Sequence, residues 1–199
     1  MAMPALPPIY PDRTRRDWTV EALRALPDDG QRYEVVDGEL LVSPSPSLVH
    51  QDAVGELFVL LRSHARVHGM HCVVAPAEIV YSATRAVQPD ILVFPLVNGE
   101  RPGRLEDVRH LVLAVEVISP SSIRADRYIK RRLYQEEGVE EYWIVEPSMR
   151  VVERWRPADE EPEVVAQSLE WRTRQAGEPL VVDLAAYFRR VHGEDGGAG

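Results

Sequence analysis

The sequence has very little cysteine and lysine, and it lacks long apolar runs. Cys72 is the single cysteine among 199 residues, so no disulfide can form within the chain, and a reducing, cytoplasmic setting fits this composition. No apolar stretch approaches the roughly 20 residues that a membrane-spanning helix needs. The N-terminal residues also lack the charged start and apolar core of a signal peptide. We therefore expect a cytoplasmic protein without a membrane segment.

Basic residues are too few to balance the acidic ones, which leaves a formal net charge of −9. This excess argues against a protein that coats nucleic acid, because phosphate binding needs a basic surface. An enzyme with a local basic groove, or with acidic residues gathered around a metal, remains compatible with it. Residues 124–132 run against the trend, since this segment contains five basic side chains and one acidic side chain.

Lys130 is the only lysine, and every other basic residue among the 23 is an arginine. A GC-rich genome could have converted nearly all cationic positions to arginine and left this one by chance. Alternatively, the position requires a compact ammonium group whose pKa can shift, which a guanidinium cannot replace.

The hydrophobic pattern predicts one α/β domain with a mixed sheet over residues 17–192, between a flexible arm (1–16) and a disordered tail (193–199). The predicted elements are a helix over 19–26, a hairpin turning at Asp37-Gly38, a helix from Ser47 to about His68, a strand over 71–81 that is broken or bulged near Pro76, strands over 87–94 and 110–118, a helix over 123–137, strands over 141–146, 149–156 and 163–170, and a helix over 182–191. The core order is helix, strand, strand, strand, helix, strand, with a hairpin in front and extra strands behind. This order is neither a plain βαβ alternation nor an all-β pattern.

Two carboxylates interrupt the apolar strands of this core. Asp90 lies within VQPDILVF and Glu116 lies within LAVEVIS. A buried carboxylate is costly unless it is paired or binds a metal, and two of them on neighbouring strands could share a Mg²⁺ ion. The backbone carbonyl of Val117 could add a further oxygen ligand, and Lys130 could reach back from the next helix to orient a water or stabilise a transition state.

Each of these residues also has an ordinary structural role open to it. Asp90 follows Pro89 and could initiate a turn at the start of a strand. Glu116 could pair with an arginine such as Arg127, and Asp126 and Lys130 could form a common surface pair at i, i+4.

The quoted strands resemble those of the PD-(D/E)xK nuclease superfamily, whose common core has the element order predicted above. The resemblance is closer to a group of small bacterial restriction-endonuclease-like proteins of unknown specificity. It is carried by RYEVVDGELLVSPSPSLVHQ, VQPDILV and VEVISPSSIRADRYIKRRLYQEEGVEEYWIVEP, within residues 32–147.

The resemblance implies that Asp90 and Glu116 are the motif carboxylates that bind the metal. The motif lysine usually follows the glutamate by two residues, where this chain has Ile118. In the resembling group the lysine appears in the following helix, which implicates Lys130. The resemblance therefore implies a restriction-endonuclease-like fold, a Mg²⁺ or Mn²⁺ cofactor, DNA as substrate and a homodimer.

His50 and Glu39 are secondary candidates. His50 lies beside the apolar stripe of the predicted long helix, where it could ligate a metal or shuttle protons, or simply be a satisfied core or cap residue. Glu39 follows the hairpin turn and could face either the site or solvent. Ser119 and Ser121 could bind phosphate or cap a helix. The nearby arginines could follow a phosphate backbone or form a solvated helix face: Arg124, Arg127, Arg131 and Arg132.

The sequence thus predicts a metal-dependent endonuclease that hydrolyses DNA through a metal-activated water. A catalytically inactive binding or assembly module with the same fold is an alternative, favoured by the net charge and by Ile118. A hydrolase of small phosphoesters or nucleotides is a third.

Overall fold

The computed structural model describes residues 11–173 and 177–194. Much of the predicted arm and tail, residues 1–10 and 195–199, lies outside the described residues, and the domain limits remain predictions. The helices are α1 (Val20–Arg24), α2 (Leu48–Val67), α3 (Arg131–Glu136) and α4 (Leu184–Val191), with a 3₁₀ turn over Leu105–Asp107 and a π-helical segment over Ala125–Lys130. The strands are β1 (Arg32–Val36), β2 (Glu39–Ser43), β3 (Met70–Val74), β4 (Ile79–Ser82), β5 (Arg85–Val87), β6 (Ile91–Pro95), β7 (Leu113–Val117), β8 (Glu141–Glu146), β9 (Val151–Trp155), β10 (Glu163–Val165), β11 (Ser168–Trp171) and β12 (Leu180–Asp183).

The centre of the molecule is a six-stranded mixed sheet with the order β10-β9-β8-β7-β6-β3. Strand β7 pairs in parallel with β8 and antiparallel with β6, and all five of its residues are buried. Val115 and Val117 belong to the core beneath α2 and α4, whereas Ala114 belongs to the core beneath α3. Because side chains alternate along a strand, Glu116 points to the α3 side. The mixed α/β fold and the buried central strand are confirmed.

A second sheet, with the order β2-β1-β5-β4, contains the predicted hairpin. Asp37 and Gly38 both have positive φ, 50° and 80°, as a type I′ turn requires. The preceding chain crosses this turn so closely that a Cβ atom on Gly38 would lie 2.2 Å from the carbonyl oxygen of Arg16. Glycine is therefore required here for space as well as for backbone conformation.

Helix α2 packs its apolar stripe on the central sheet and places His50 in its first turn. The Ser47 side chain caps the helix by accepting a hydrogen bond from the His50 N–H at 3.2 Å. Leu57 and Leu61 are fully buried, and the chain leaves the helix at Gly69, whose φ is 65°. These features agree with the predicted start, stripe and end. No helix in the described ranges is long and apolar enough to cross a membrane.

Two predicted strands are each divided between the two sheets. The segment 71–81 breaks at Pro76 into β3 of the six-stranded sheet and β4 of the four-stranded sheet. The segment 87–94 likewise separates into β5 and β6, so Asp90 precedes β6 and was wrongly placed inside a strand. Proline lacks the N–H group that a ladder needs, and Pro89 lies at this crossing.

Three further boundaries differ from the prediction. The strand predicted over 163–170 is two strands, of which β11 pairs with β12 instead of extending β10. The last helix was predicted from residue 182, but β12 occupies its start because the Asp183 side chain accepts the Ala186 N–H and begins the helix at Leu184. The helix predicted over 123–137 begins as the π-helical segment before it becomes α3.

Candidate active site

A pocket of about 650 Å³ opens between the two sheets, and Asp90 lies in its wall. Its rim is formed by the chain between β2 and α2, the turn at Ala75-Pro76, the loop before β1 and the turn after β7. Asp90 can reach this space because it lies at the crossing between β5 and β6, outside either strand ladder. Only 3% of Asp90 is exposed, which places a nearly buried carboxylate beside a ligand-sized cavity.

Asp90 is held by three groups. Arg32 Nη1 donates to Oδ1 at 2.8 Å, the Val117 N–H donates to Oδ2 at 2.8 Å, and His50 Nε2 lies 3.2 Å from Oδ2. Burial alone would raise the pKa of Asp90, but the hydrogen bond from His50 and the charge of Arg32 outweigh it. The pKa is therefore held well below its usual range, and the side chain is an ionised carboxylate at neutral pH.

Glu116 lies on the opposite side of β7 from the valines and belongs to a second group of charges. We call Glu34, Glu116, Asp126, Lys130 and Tyr134 the buried ion cluster. The Lys130 ammonium lies 2.8 Å from Glu34 Oε2, 2.9 Å from Glu116 Oε1 and 3.6 Å from Asp126 Oδ1. The Tyr134 hydroxyl also donates to Glu116 Oε1, at 3.2 Å. An ammonium has three N–H donors, and three carboxylates surround this one.

Burial would lower the pKa of Lys130, but the charges of Glu116, Glu34 and Asp126 raise it above its ordinary value. Lys130 is therefore a permanent cation. Burial raises the pKa of Glu116 well above its usual range despite the attraction of Lys130, and the neighbouring carboxylates raise it further. The cluster and Asp90 together place four carboxyl groups near two permanent cations, Lys130 and Arg32, and the raised pKa of Glu116 reflects this crowding.

The structure brings the predicted residues together in two sets. Asp90, His50 and the backbone of Val117 line the pocket, whereas Glu116 and Lys130 contact each other behind it. The Val117 backbone contacts Asp90 through its N–H group. The two structural alternatives given for Glu116 and Lys130 are wrong. Arg127 pairs with Glu146 and Glu153 instead of Glu116, and the Asp126–Lys130 pair is buried instead of lying on the surface.

Glu39 lies outside both sets. Its Oε1 accepts from Arg124 at 2.7 Å and its Oε2 lies 3.9 Å from Arg16, both of them largely exposed arginines. These partners hold the pKa of Glu39 below its usual range. Glu39 is the first residue of β2, which is an edge strand of the second sheet. Its side chain forms surface ion pairs and does not reach the site.

The arginines of residues 124–132 are largely neutralised by acidic partners. Arg127 pairs with Glu146 and Glu153, and Arg132 pairs with Glu136. Arg131 lies over the ring of Trp155 at 4.8 Å. The segment therefore does not present the row of unpaired cations that a phosphate backbone would need.

Sequence reasoning missed Glu34 and Arg32. Glu34 is 1% exposed, and besides its contact with Lys130 its Oε1 accepts from the Gln88 N–H at 2.7 Å. The signal for Glu34 was present, since it is a carboxylate inside the apolar strand RYEVV, just as Asp90 and Glu116 neighbour apolar strands. Arg32 carried no such signal, because an arginine at the start of a strand is ordinary.

Ser119 and Ser121 form the turn after β7 and line the pocket. Their hydroxyl groups lie 3.1 Å apart, and the Ser119 N–H donates to the Ser122 hydroxyl at 2.9 Å. The serines therefore organise the turn through one another, and they present hydroxyl groups to the cavity.

Known proteins support this architecture. The Uma2 family model, described as "Putative restriction endonuclease", matches residues 20–186. A crystal structure described as a putative nuclease belonging to DUF820, from Anabaena variabilis, superposes with a TM-score of 0.69 at 17% identity and covers 87% of this chain and 99% of that one. No curated protein matches the sequence. With five-sixths of its length matched and a nuclease-like fold, the chain belongs to the Uma2 family.

Proposed function

We propose that the protein is a metal-dependent phosphodiesterase that cuts DNA, that is, an endonuclease. The observation that carries the proposal is the position of Asp90, an ionised and nearly buried carboxylate in the wall of a ligand-sized pocket, hydrogen-bonded to the strand that carries Glu116. An ionised carboxylate with a strongly shifted pKa beside a cavity is an arrangement that is common at functional sites. The family description agrees with nuclease chemistry.

The residues present fit a hard divalent cation. Asp90 and Glu116 supply carboxylate oxygens, and the backbone carbonyl of Val117, the residue after Glu116, is a further oxygen donor. The excess of carboxylates over permanent cations around them favours an added positive charge. No three described His, Cys, Asp or Glu side chains form a metal-binding group, so the ion would bind through these two carboxylates and water, a mode that Mg²⁺ commonly uses.

When bound, Mg²⁺ or Mn²⁺ would acidify a water molecule and neutralise charge on the phosphate. The side chains of the protein would bind the ion, orient its ligands and transfer protons. Asp90 and Glu116 would hold the ion. Lys130 contacts Glu116 from the side away from the pocket and would orient it, so Lys130 would be a positioning residue. His50 contacts Asp90 through Nε2 and lines the pocket, where its imidazole would be the candidate general acid or base.

The test is nicking of supercoiled DNA by the purified protein with Mg²⁺ or Mn²⁺. Asp90→Ala should lower the rate at least about 100-fold, the scale of losing a group that stabilises developing charge. Asp52→Ala, an exposed aspartate on α2, is the matched control and should cut normally. Circular dichroism and thermal unfolding establish that the Asp90 variant is folded. Equal cutting by both variants would refute the proposal.

A binding or assembly module with the same fold predicts a different result. Such a module would not cut DNA and would take up no Mn²⁺ that depends on Asp90 and Glu116, which a titration followed by electron paramagnetic resonance measures. A hydrolase of small phosphoesters would act on a chromogenic phosphodiester but not on DNA. The homodimer remains a prediction from family resemblance, and sedimentation of the purified protein tests it.

A further inference from the structure

The pocket differs from the surface of a protein that grips duplex DNA. Duplex binding relies on many lysine and arginine contacts with both phosphate backbones. Among the described residues that line this pocket, the permanent charges are one cation, Arg32, and two anions, Asp28 and Asp90. Most of the other lining side chains that can hydrogen-bond are neutral serines and glutamines.

The arginines that neighbour the pocket-lining segments in the sequence do not form a row of unpaired cations leading away from the pocket. Arg124 is bound by Glu39, and Arg85 is bound by Asp37, Glu136 and Glu137. With Arg127 and Arg132 also paired, the described surface around the turn after β7 offers few free cations for a second strand. The net charge of −9 adds a general repulsion of polyanions.

Arg32 itself is placed to bind a single phosphate. Its Nη1 group donates to Asp90 Oδ1 at 2.8 Å and to the Gln88 carbonyl at 3.2 Å. Its Nη2 group makes no hydrogen bond to any residue in the described ranges, and 23% of the side chain is exposed. The guanidinium is therefore anchored through Nη1 by the proposed metal ligand, and Nε lies 4.0 Å from Glu34 Oε2. The Nη2 group keeps its donors, which suits a phosphate oxygen.

We propose that the substrate is an unpaired DNA strand whose phosphodiester enters the pocket and is bound by Arg32. This inference rests on the proposed endonuclease function. Asp90 is almost fully buried, so the phosphate must descend to the pocket wall, and a strand that is free of its complement can do this without unpairing. No phenylalanine, tyrosine or tryptophan lines the described pocket, so affinity comes from phosphate and polar contacts, and we expect little preference between bases.

The proposal is tested by binding in EDTA, where cleavage cannot occur. A short fluorescein-labelled single strand and the same strand annealed to its complement are titrated with protein, and anisotropy reports binding. The single strand should bind at least about tenfold tighter than the duplex, because the duplex must first be opened. Duplex binding as tight as single-strand binding, or no binding of either, would overturn the proposal.

Arg32→Met should weaken single-strand binding by about 10- to 100-fold, the scale of a charge-assisted hydrogen bond. Arg124→Met removes an exposed arginine that is paired outside the pocket and should change binding less than about twofold. If Arg32→Met fails to fold, Ser45→Trp narrows the exposed rim without removing a buried partner and should also weaken binding by about tenfold. Ser168→Trp, on a distant strand, is its control. Unchanged binding in the folded variant overturns the assignment.

The two proposals fail in different ways. If the single strand binds as expected but Mg²⁺ and Mn²⁺ produce no cutting, the endonuclease function fails while the inferred ligand stands. If the protein cuts and binds duplex DNA at least as well as the single strand, the endonuclease function stands and this inference is wrong.

Discussion

The buried ion cluster and the pocket wall are built from the same residue types, yet their surroundings differ. In the cluster, the Lys130 ammonium faces three carboxylates and is 1% exposed. In the pocket wall, Arg32 donates to Asp90 and lies 4.0 Å from Glu34 Oε2, but its Nη2 group makes no hydrogen bond within the described residues. A cation whose donors are all occupied stabilises its neighbours, whereas one with spare donors can bind a ligand. We therefore expect the buried ion cluster to contribute mainly to the stability of the fold and the pocket wall to contribute mainly to ligand binding.

Lys130→Met should cause the largest effect, a loss of about 3–5 kcal/mol in the free energy of unfolding. The substitution leaves Glu34 and Glu116 without their cation in a buried place. Urea unfolding measures the change, with Arg132→Met as control because Arg132 forms an exposed pair with Glu136. A loss below about 1 kcal/mol, as for an exposed pair, would mean that the cluster is not a stabilising unit.

His50→Ala should lower the DNA cutting rate by about 100-fold or more, the usual contribution of a group that transfers protons. Its free energy of unfolding should change much less than that of Lys130→Met, because His50 is only one of three groups that hold Asp90. His110→Ala removes a histidine that contacts Glu140 outside the pocket and serves as control. Normal cutting by His50→Ala would remove this residue from the reaction.

Tyr134→Phe should destabilise the fold by about 1–2 kcal/mol, the net value of one hydrogen bond to a carboxyl group. The hydroxyl group donates to Glu116, and the ring itself is fully buried, so phenylalanine keeps the packing. Chemical unfolding measures the loss. DNA binding in EDTA should be unaffected if the buried ion cluster serves stability and the pocket wall serves ligand contact. A tenfold loss of binding would show that these two regions are not separate.

Glu39→Gln should have the smallest effect, within about 0.5 kcal/mol on stability and without effect on cutting. Its arginine partners are on the surface. Glu34→Gln is the informative comparison, since the same substitution on the adjacent strand removes a charge that is in contact with Lys130. Thermal unfolding of the two variants should therefore differ, and identical midpoints would contradict the division between surface and cluster.

Local sequence signals predicted much of the fold. The Asp37-Gly38 turn, the Ser47 cap and the apolar run around Glu116 are each specified by residues that are close in the chain. The elements that were wrong lie where a strand leaves one sheet for another, as at Pro76 and Pro89. An apolar run has the same appearance whichever sheet receives it, so the pattern could not locate these crossings.

The candidate site was predictable to the extent that burial cost is visible in a sequence. Asp90 and Glu116 stand out because carboxylates are rare beside buried strands, and Glu34 could have been found in the same way. The sequence could not distinguish Arg32, which belongs to the site, from Glu39, which does not, because both are charged residues at the start of a strand. Arg32 contacts Asp90 across 58 positions of sequence, and only folding determines such a pair.

Lys130 shows how far the sequence alone could predict the site. By itself the sequence determined that Lys130 is the only lysine and that two carboxylates, Asp90 and Glu116, occur within apolar segments. Only the tertiary structure decided that Lys130 faces three carboxylates behind the pocket while Arg32 and His50 face the cavity. The physical reason is that hydrophobic periodicity acts over neighbouring residues, whereas ion pairs join side chains that are brought together by the packing of two sheets and a helix.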